Sequence, residues 1–182
     1  MPTETIIVVG LGASAVRQAD ALCEFTTIGV NDVARFLSPT HLLVLDAPRR
    51  FTENRLLYID ICPAEVAWIC HDAWMPRLGA KAIRKLHLQR FSPRANLDVE
   101  DLLHFRTSPF AAIHLAYKLG AKRIGVIGMD LLPDHHMSRS AKAINEHLAS
   151  MRDKLAEKKV ELLNCSKIAN LPSLPFLTLE EF

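Results

Sequence analysis

The sequence predicts an α/β fold of three layers, Rossmann-like in plan, with a mostly parallel sheet between two layers of helix. Two observations carry this. Short runs rich in β-branched and aliphatic residues alternate along the chain with helical stretches, and that alternation belongs to parallel sheets. Most of the runs are apolar at consecutive positions, as expected of strands covered on both faces.

The predicted strands span residues 5–9, 26–30, 41–45, 65–70, 83–88, 123–127 and 160–164. Two helices are well marked between them. Ser108-Pro109 opens the first with an N-cap residue and a proline at the first helical position, and Gly120 closes it. Its body, 110–119, is apolar nearly all round and so predicts deep packing. The second helix runs over 138–159, where Ala141, Ile144, Leu148, Met151 and Leu155 fall at spacings of 3, 4, 3 and 4. That is one apolar stripe, suited to a helix lying on the sheet. Residues 48–63 and 89–104 are polar, proline-flanked and less regular, the kind of connection that covers a pocket.

Size and composition narrow the function classes. A chain of 182 residues buries roughly 70% of its unfolded surface around one core, so residues 1–182 are expected to form one domain. With 22 Lys+Arg against 20 Asp+Glu the net charge is +2, too balanced for a dedicated nucleic-acid or anionic-membrane binder. The basic stretch 81–94 reads as a solvated face. No apolar run reaches the roughly 18 residues of a membrane span, and the first residues do not read as a signal peptide. Four cysteines with no C-x-x-C pair read as reduced thiols, which places the chain in the cytoplasm. The expected partner is a small molecule, and the sequence leaves self-association into a homo-oligomer open.

The informative pattern lies just beyond the strand ends. Gly10-Leu11-Gly12-Ala13-Ser14-Ala15 succeeds the first strand, Asn31-Asp32 the second, Asp46 the third, His71-Asp72 the fourth and Gly128-Met129-Asp130 the sixth. In a parallel sheet all strand C-termini share one edge, and open α/β folds bind ligands in the crevice outside it. The Gly10–Ala15 segment fits G-x-G-x-x-[G/A], in which backbone approaches a phosphate at a helix N-terminus. A plain tight turn between strand and helix explains the same glycines. Asn31 can donate and accept at once and suits a base or ribose edge; Asp32 either meets ribose hydroxyls or caps the next helix. Asp46 and Asp130 could hold Mg²⁺ together with substrate phosphates, with Asp72 as a further metal candidate. They could equally bind hydroxyls, cap helices, or form loop ion pairs, Asp46 with Arg49 or Arg50.

His71, His135 and His136 lie just past strand ends, where one could act as a general base near neutral pH. His87, His104, His114 and His147 fall inside regular elements and read as packed or solvated. Serine-hydrolase, zincin and P-loop signatures do not occur.

Three segments carry a family resemblance. They are the turn with Gly10, Gly12 and Ser14; Ile28-Gly29-Val30-Asn31-Asp32 followed by Pro39-Thr40-His41-Leu42-Leu43-Val44-Leu45-Asp46; and Thr107-Ser108-Pro109-Phe110-Ala111-Ala112 through Leu119-Gly120-Ala121 to Ile127-Gly128-Met129-Asp130-Leu131. The ending Val160-Glu161-Leu162-Leu163-Asn164-Cys165-Ser166, with Leu179-Glu180-Glu181, fits the same group. Together they resemble the Rossmann-like family of 6-hydroxymethylpterin diphosphokinase MptE-like proteins, related to bacterial family-42 sialyltransferases. The resemblance implies one Rossmann-like nucleotide-binding domain. It implies a nucleotide-dependent transferase that takes either a nucleoside triphosphate with Mg²⁺ or a nucleotide-activated sugar donor. By that likeness Gly10, Gly12, Ala13, Ser14, Asn31, Ser108 and Asp130 line the nucleotide pocket, with Asp32 and Thr107 beside them. His135 or His136 would serve as catalytic base, and Asp46 is a further catalytic candidate.

Three functions therefore stand. The first is a transferase working by glycosyl or diphosphoryl transfer. The second is a non-catalytic nucleotide or nucleotide-sugar binder. The third, from the glycine motif alone, is an NAD(P)-dependent oxidoreductase.

Overall fold

The computed structural model describes residues 4–131 and 140–182. Its strands are β1 (Thr5–Val9), β2 (Thr27–Val30), β3 (His41–Val44), β4 (Val66–Ile69), β5 (Ala82–Lys85), β6 (Leu88–Arg90), β7 (Leu102–His104), β8 (Arg123–Ile127) and β9 (Glu161–Asn164). Seven of them build one sheet in the spatial order β5-β4-β3-β2-β1-β8-β9, with every pairing parallel. The helices are α1 (Ala13–Val16), α2 (Ala19–Leu22), α3 (Glu53–Asp60), α4 (Ser108–Lys118) and α5 (Ala141–Glu157). They cover both faces, so the predicted three-layer α/β arrangement is the one observed.

Alternate residues of each strand feed two separate cores. Ile6, Val8, Ile28, Val30 and Leu43 face the layer of α4 and α5. Ile7, Val9, Leu42 and Val44 face the layer of α1, α2 and α3, where they meet Ala15, Leu22, Ile59 and Trp74. Because both faces are buried, neither set can be polar, which is why these strands read as continuous apolar runs. Phe110 through Ala116 of α4 are all buried, and its alanines let the helix sit close against β1, β2 and β8. The stripe of α5 packs as its spacing predicts, with Ile144, Leu148, Met151 and Leu155 buried.

Four details differ from the sequence reading. The cap of α4 is Thr107, whose Oγ1 accepts from the Phe110 N–H at 3.3 Å, so Ser108 is the first helical residue. The predicted fifth strand divides: β5 ends at Lys85, and Leu88 begins β6, which pairs with β7 in a separate two-stranded ribbon. Strands of three residues are too short to show a period. Helix α3 escapes prediction because it buries only Ile59 and has no apolar stripe to read. Asp32 precedes a 3₁₀ turn over Val33–Arg35, and its side chain makes no capping bond there.

Strand order runs outward from β1 to β5 and then restarts with β8 on the other side of β1. The connections leaving β1 and β8 therefore part in opposite directions and open a crevice at their C-terminal ends. Their backbones nearly touch there. Gly10 N–H donates to the Ile127 carbonyl at 2.8 Å and Gly12 N–H to the Gly128 carbonyl at 2.9 Å. A Cβ on Gly10 would overlap the Gly128 carbonyl, and Gly128 itself sits at φ 74°. Among the described residues no helix is long and apolar enough to cross a membrane.

Candidate functional site

The crevice is a cleft of about 350 Å³ at the C-terminal ends of four strands. Leu11 and Gly12 follow β1, Asn31 follows β2, Asp46 lies past the end of β3, and Gly128 to Leu131 follow β8. Thr107, Ser108 and Pro109 bring the start of α4 to the same place, beside Arg106. The remaining wall is Arg50, Phe51 and Arg55, from the connection after β3 and from α3. Parallel strands dictate this convergence, since every β-to-α connection leaves from one edge.

Asn31 is the least comfortable residue in the cleft. Its backbone is left-handed, at φ 52°, a conformation that costs a side chain roughly 1–2 kcal/mol and that asparagine tolerates best. Its Oδ1 is buried with no hydrogen-bond partner among the described residues, a further cost of about 1–3 kcal/mol. Arg106 is also left-handed, at φ 58°, and lines the same cleft. The third such non-glycine residue among those described, Lys159, merely follows the end of α5. Strained backbone conformations cluster at functional positions. Here two of the three strained residues line one cleft.

Asp130 closes the glycine turn. It is buried, and its Oδ2 accepts from the Ser14 N–H at 2.9 Å while its Oδ1 accepts from Ser14 Oγ at 2.6 Å. Ser14 Oγ in turn accepts from the Gly128 N–H at 2.9 Å. A Cβ on Gly12 would come within 2.5 Å of Asp130 Oδ2, so this glycine makes room for the carboxylate. Unit charges of like sign about 4 Å apart repel by roughly 4 kcal/mol at an effective dielectric near 20. The position that a phosphate would take in a G-x-G-x-x-[G/A] turn is thus filled by a side chain of its own sign.

Positive charge comes from the other walls. Arg55 donates to Asp32 Oδ1 from Nε at 2.9 Å and from Nη2 at 2.6 Å. Its guanidinium lies over the Phe51 ring at 4.9 Å. Arg106 donates to Ser140 Oγ at 3.0 Å. Arg50 is exposed and forms no ion pair with a described residue. Three guanidinium groups and two carboxylates, Asp46 and Asp130, thus line the cleft, and the charge of one of the three, Arg55, is met from behind by Asp32. The positive groups stand on the walls away from the glycine turn.

The sequence-predicted residues divide accordingly. Gly12, Asn31, Asp46, Thr107, Ser108 and Asp130 line the cleft. Ser108 Oγ makes no hydrogen bond to a described residue, because Thr107 does the capping. Gly10 is buried in the β1–β8 junction, Ala13 is exposed, and Ser14 is buried behind Asp130. Asp32 is buried and meets Arg55. Asp46 is exposed, its carbonyl accepts from Trp74 Nε1 at 2.8 Å, and no ion pair joins it to Arg49 or Arg50. His71 and Asp72 are exposed outside the cleft, with Asp72 paired to Lys85 at 2.8 Å. His135 and His136 lie outside the described residues. Sequence reasoning misses the arginines. Only Arg106 leaves a signal, standing directly before the cap of a helix that starts at the site edge.

The donor set does not fit a protein-held Mg²⁺. Among the described residues no three His, Cys, Asp or Glu side chains gather as a metal cluster. Of the three predicted ligands, Asp130 has both oxygens bonded to Ser14 and Asp72 is paired with Lys85 outside the cleft, which leaves Asp46 alone.

No family model matches the chain, and no curated protein matches it. Solved structures do. An alpha-2,3/8-sialyltransferase CstII mutant superposes with a TM-score of 0.56 at 12% identity, over 95% of this chain and 86% of that one. An apo alpha-2,3-sialyltransferase from Campylobacter jejuni gives 0.56 at 12% identity, over 98% of this chain and 82% of that one. The sialyltransferase CstII from Campylobacter jejuni in complex with the substrate analogue CMP-3FNeuAc gives 0.56 at 12% identity, over 95% and 84%. The chain shares the fold of these sialyltransferases. At this identity the likeness extends to architecture alone.

Proposed function

We propose that the chain is a glycosyltransferase-type protein that takes a nucleotide-activated sugar in the cleft between β1, β2, β3 and β8. Asn31 carries the reading. A left-handed, half-buried Asn whose Oδ1 is buried and unused is costly unless a ligand supplies the donor, and a base amino group or a ribose hydroxyl is a donor of the right kind. The exposed Arg50 and the arginines beside it support an anionic ligand on that wall, and the solved structures of like fold include complexes with CMP-3FNeuAc and with CMP plus a trisaccharide acceptor. Four free cysteines fit a reducing, cytoplasmic setting.

Glycosyl transfer needs a base for the acceptor hydroxyl and cations for the departing phosphate. The arginines would serve the second need, and His135, His136 or the exposed Asp46 the first. Diphosphoryl transfer of the MptE-like kind would rest on Mg²⁺ held mainly by substrate phosphates, with Asp46 the one lining carboxylate not already hydrogen-bonded through its side chain. A nicotinamide dinucleotide would place its pyrophosphate on the glycine turn, against Asp130. Binding without turnover stays within the same reading, since it uses the same cleft.

The test is calorimetric titration of the full chain with CMP, UMP, AMP and their sugar-linked forms. A pyrimidine nucleotide should bind. Asn31→Gly, which suits the left-handed backbone while removing the amide, should weaken it by roughly 1–3 kcal/mol, or about five- to 150-fold. Absence of binding by every nucleotide, or unchanged affinity in Asn31→Gly, overturns the proposal.

A further inference from the structure

The anionic end of the ligand has its own wall, and this inference rests on the nucleotide reading just given. Sequence alone would send a phosphate to the turn after β1. Three donors of that turn are already in use, which leaves only the N–H groups of Leu11 and Ala13 without a bond to a described residue. Gly10 N–H donates to Ile127, Gly12 N–H to Gly128 and Ser14 N–H to Asp130. Helix α1 has four residues, too few to build a useful dipole. Asp130 adds a negative charge at the same spot.

The wall after β3 is built the opposite way. Arg50 and Arg55 both line the cleft, on either side of Phe51. Arg50 is uncommitted among the described residues. Arg55 is held on two sides. Nε and Nη2 donate to Asp32 Oδ1, and the Phe51 ring lies 4.9 Å from the guanidinium carbon. These contacts fix the plane of the guanidinium and leave Nη1 without a bond to a described residue. Asp32, only 2% exposed, follows Asn31 directly in sequence, so one short turn sets both the amide and the arginine. Burying a carboxylate is expensive, and this one spends its charge on orienting a cation at the cleft surface.

We propose that Arg50 and Arg55 form the phosphate-binding wall of the cleft, and that Asp32 is the positioning residue that holds Arg55. The glycine turn is then a strut between β1 and β8, not a phosphate cradle. Nucleoside and phosphate are read by separate groups: Asn31 for the neutral part and the arginines for the charge.

The experiment measures cytidine, CMP and inorganic pyrophosphate binding calorimetrically to the wild-type chain, Arg50→Gln, Arg55→Gln and Asp32→Asn. In the wild type CMP should bind about ten- to hundredfold more tightly than cytidine, the range expected of charge-assisted hydrogen bonds. That ratio should fall towards one in Arg50→Gln and in Arg55→Gln, with cytidine affinity unchanged. Asp32→Asn should lose CMP affinity while keeping that of cytidine; if it fails to fold, the two arginine variants decide. A ratio that stays at its wild-type value in both arginine variants overturns the proposal. Should neither CMP nor cytidine bind the wild type, the nucleotide reading fails by itself and pyrophosphate decides the wall. Binding lost in Arg50→Gln and Arg55→Gln sustains it; no binding to the wild type refutes it.

Discussion

Replacing Asp130 by alanine removes the acceptor of two hydrogen bonds from Ser14, through its N–H at 2.9 Å and its Oγ at 2.6 Å. Both donors are buried, and each left unpaired costs about 1–3 kcal/mol. Part of that is returned, because a desolvated carboxylate is no longer buried. The net loss works out at about 3 kcal/mol, and a chain of this length loses roughly 2–4 °C per kcal/mol. Asp130→Ala should therefore melt about 6–12 °C below the wild type in a ligand-free calorimetric scan. Asp130→Asn is the informative partner. Its carbonyl can accept from the Ser14 N–H while its amide donates to Ser14 Oγ, leaving one hydroxyl proton unpaired, about 1 kcal/mol. The expected order is wild type, then asparagine, then alanine. An alanine variant melting within about 2 °C of the wild type would show that the glycine turn does not need its carboxylate strut.

His114 and the cysteines give two further tests. The ring of His114 is buried in α4, with Nδ1 accepting from the Leu103 N–H at 2.9 Å and Nε2 donating to the Leu97 carbonyl at 2.8 Å. Burial lowers its pKa from 6.5 to about 4, so the unfolded chain binds the extra proton first as pH falls. Its contribution is fully present above pH 6.5 and drains away towards pH 4, a loss of about 3 kcal/mol. Urea titrations at several pH values should show His114→Gln with a flatter acid slope than the wild type; parallel slopes would refute the assignment. Burial raises Cys62 and Cys70 to about 11 and Cys165 to about 12, whereas Cys23 is exposed. Ellman's reagent at pH 8 should label Cys23 alone quickly, because a thiol near pKa 11 is only about one part in a thousand thiolate there. Fast labelling at Cys62 or Cys165, both buried, would mean the core opens.

The central strands were legible because burial on both faces forces apolar residues at nearly every position of β1, β2, β3 and β8. Val8 and Val9 point into different cores, yet both must be apolar. The edge that carries the cleft followed from the same logic, since Asn31, Asp46 and Asp130 sit beyond strand ends. The hidden part depends on contacts between distant elements. Asp32 and Arg55 are 23 positions apart and meet because α3 packs against the 3₁₀ turn that follows β2. Helix α3 buries one residue and so has no stripe to announce it. Thr107 takes the cap from Ser108, a shift of one residue, but it frees the Ser108 hydroxyl at the cleft.

The glycines show how one spacing can serve two opposite electrostatic ends. In a phosphate-binding turn, a missing Cβ admits an external anion to backbone N–H groups. Here the missing Cβ of Gly12 admits Asp130, an internal anion, to the Ser14 N–H. The two cases share a motif because both need close approach to the backbone; they differ in whose oxygen arrives. Once the internal carboxylate is seated, an incoming phosphate meets repulsion on the β1–β8 side and attraction on the Arg50–Arg55 side. The residue that decides between them, Asp130, lies 116 positions from Ser14, so no local pattern around the glycines could reveal which arrangement the chain adopts.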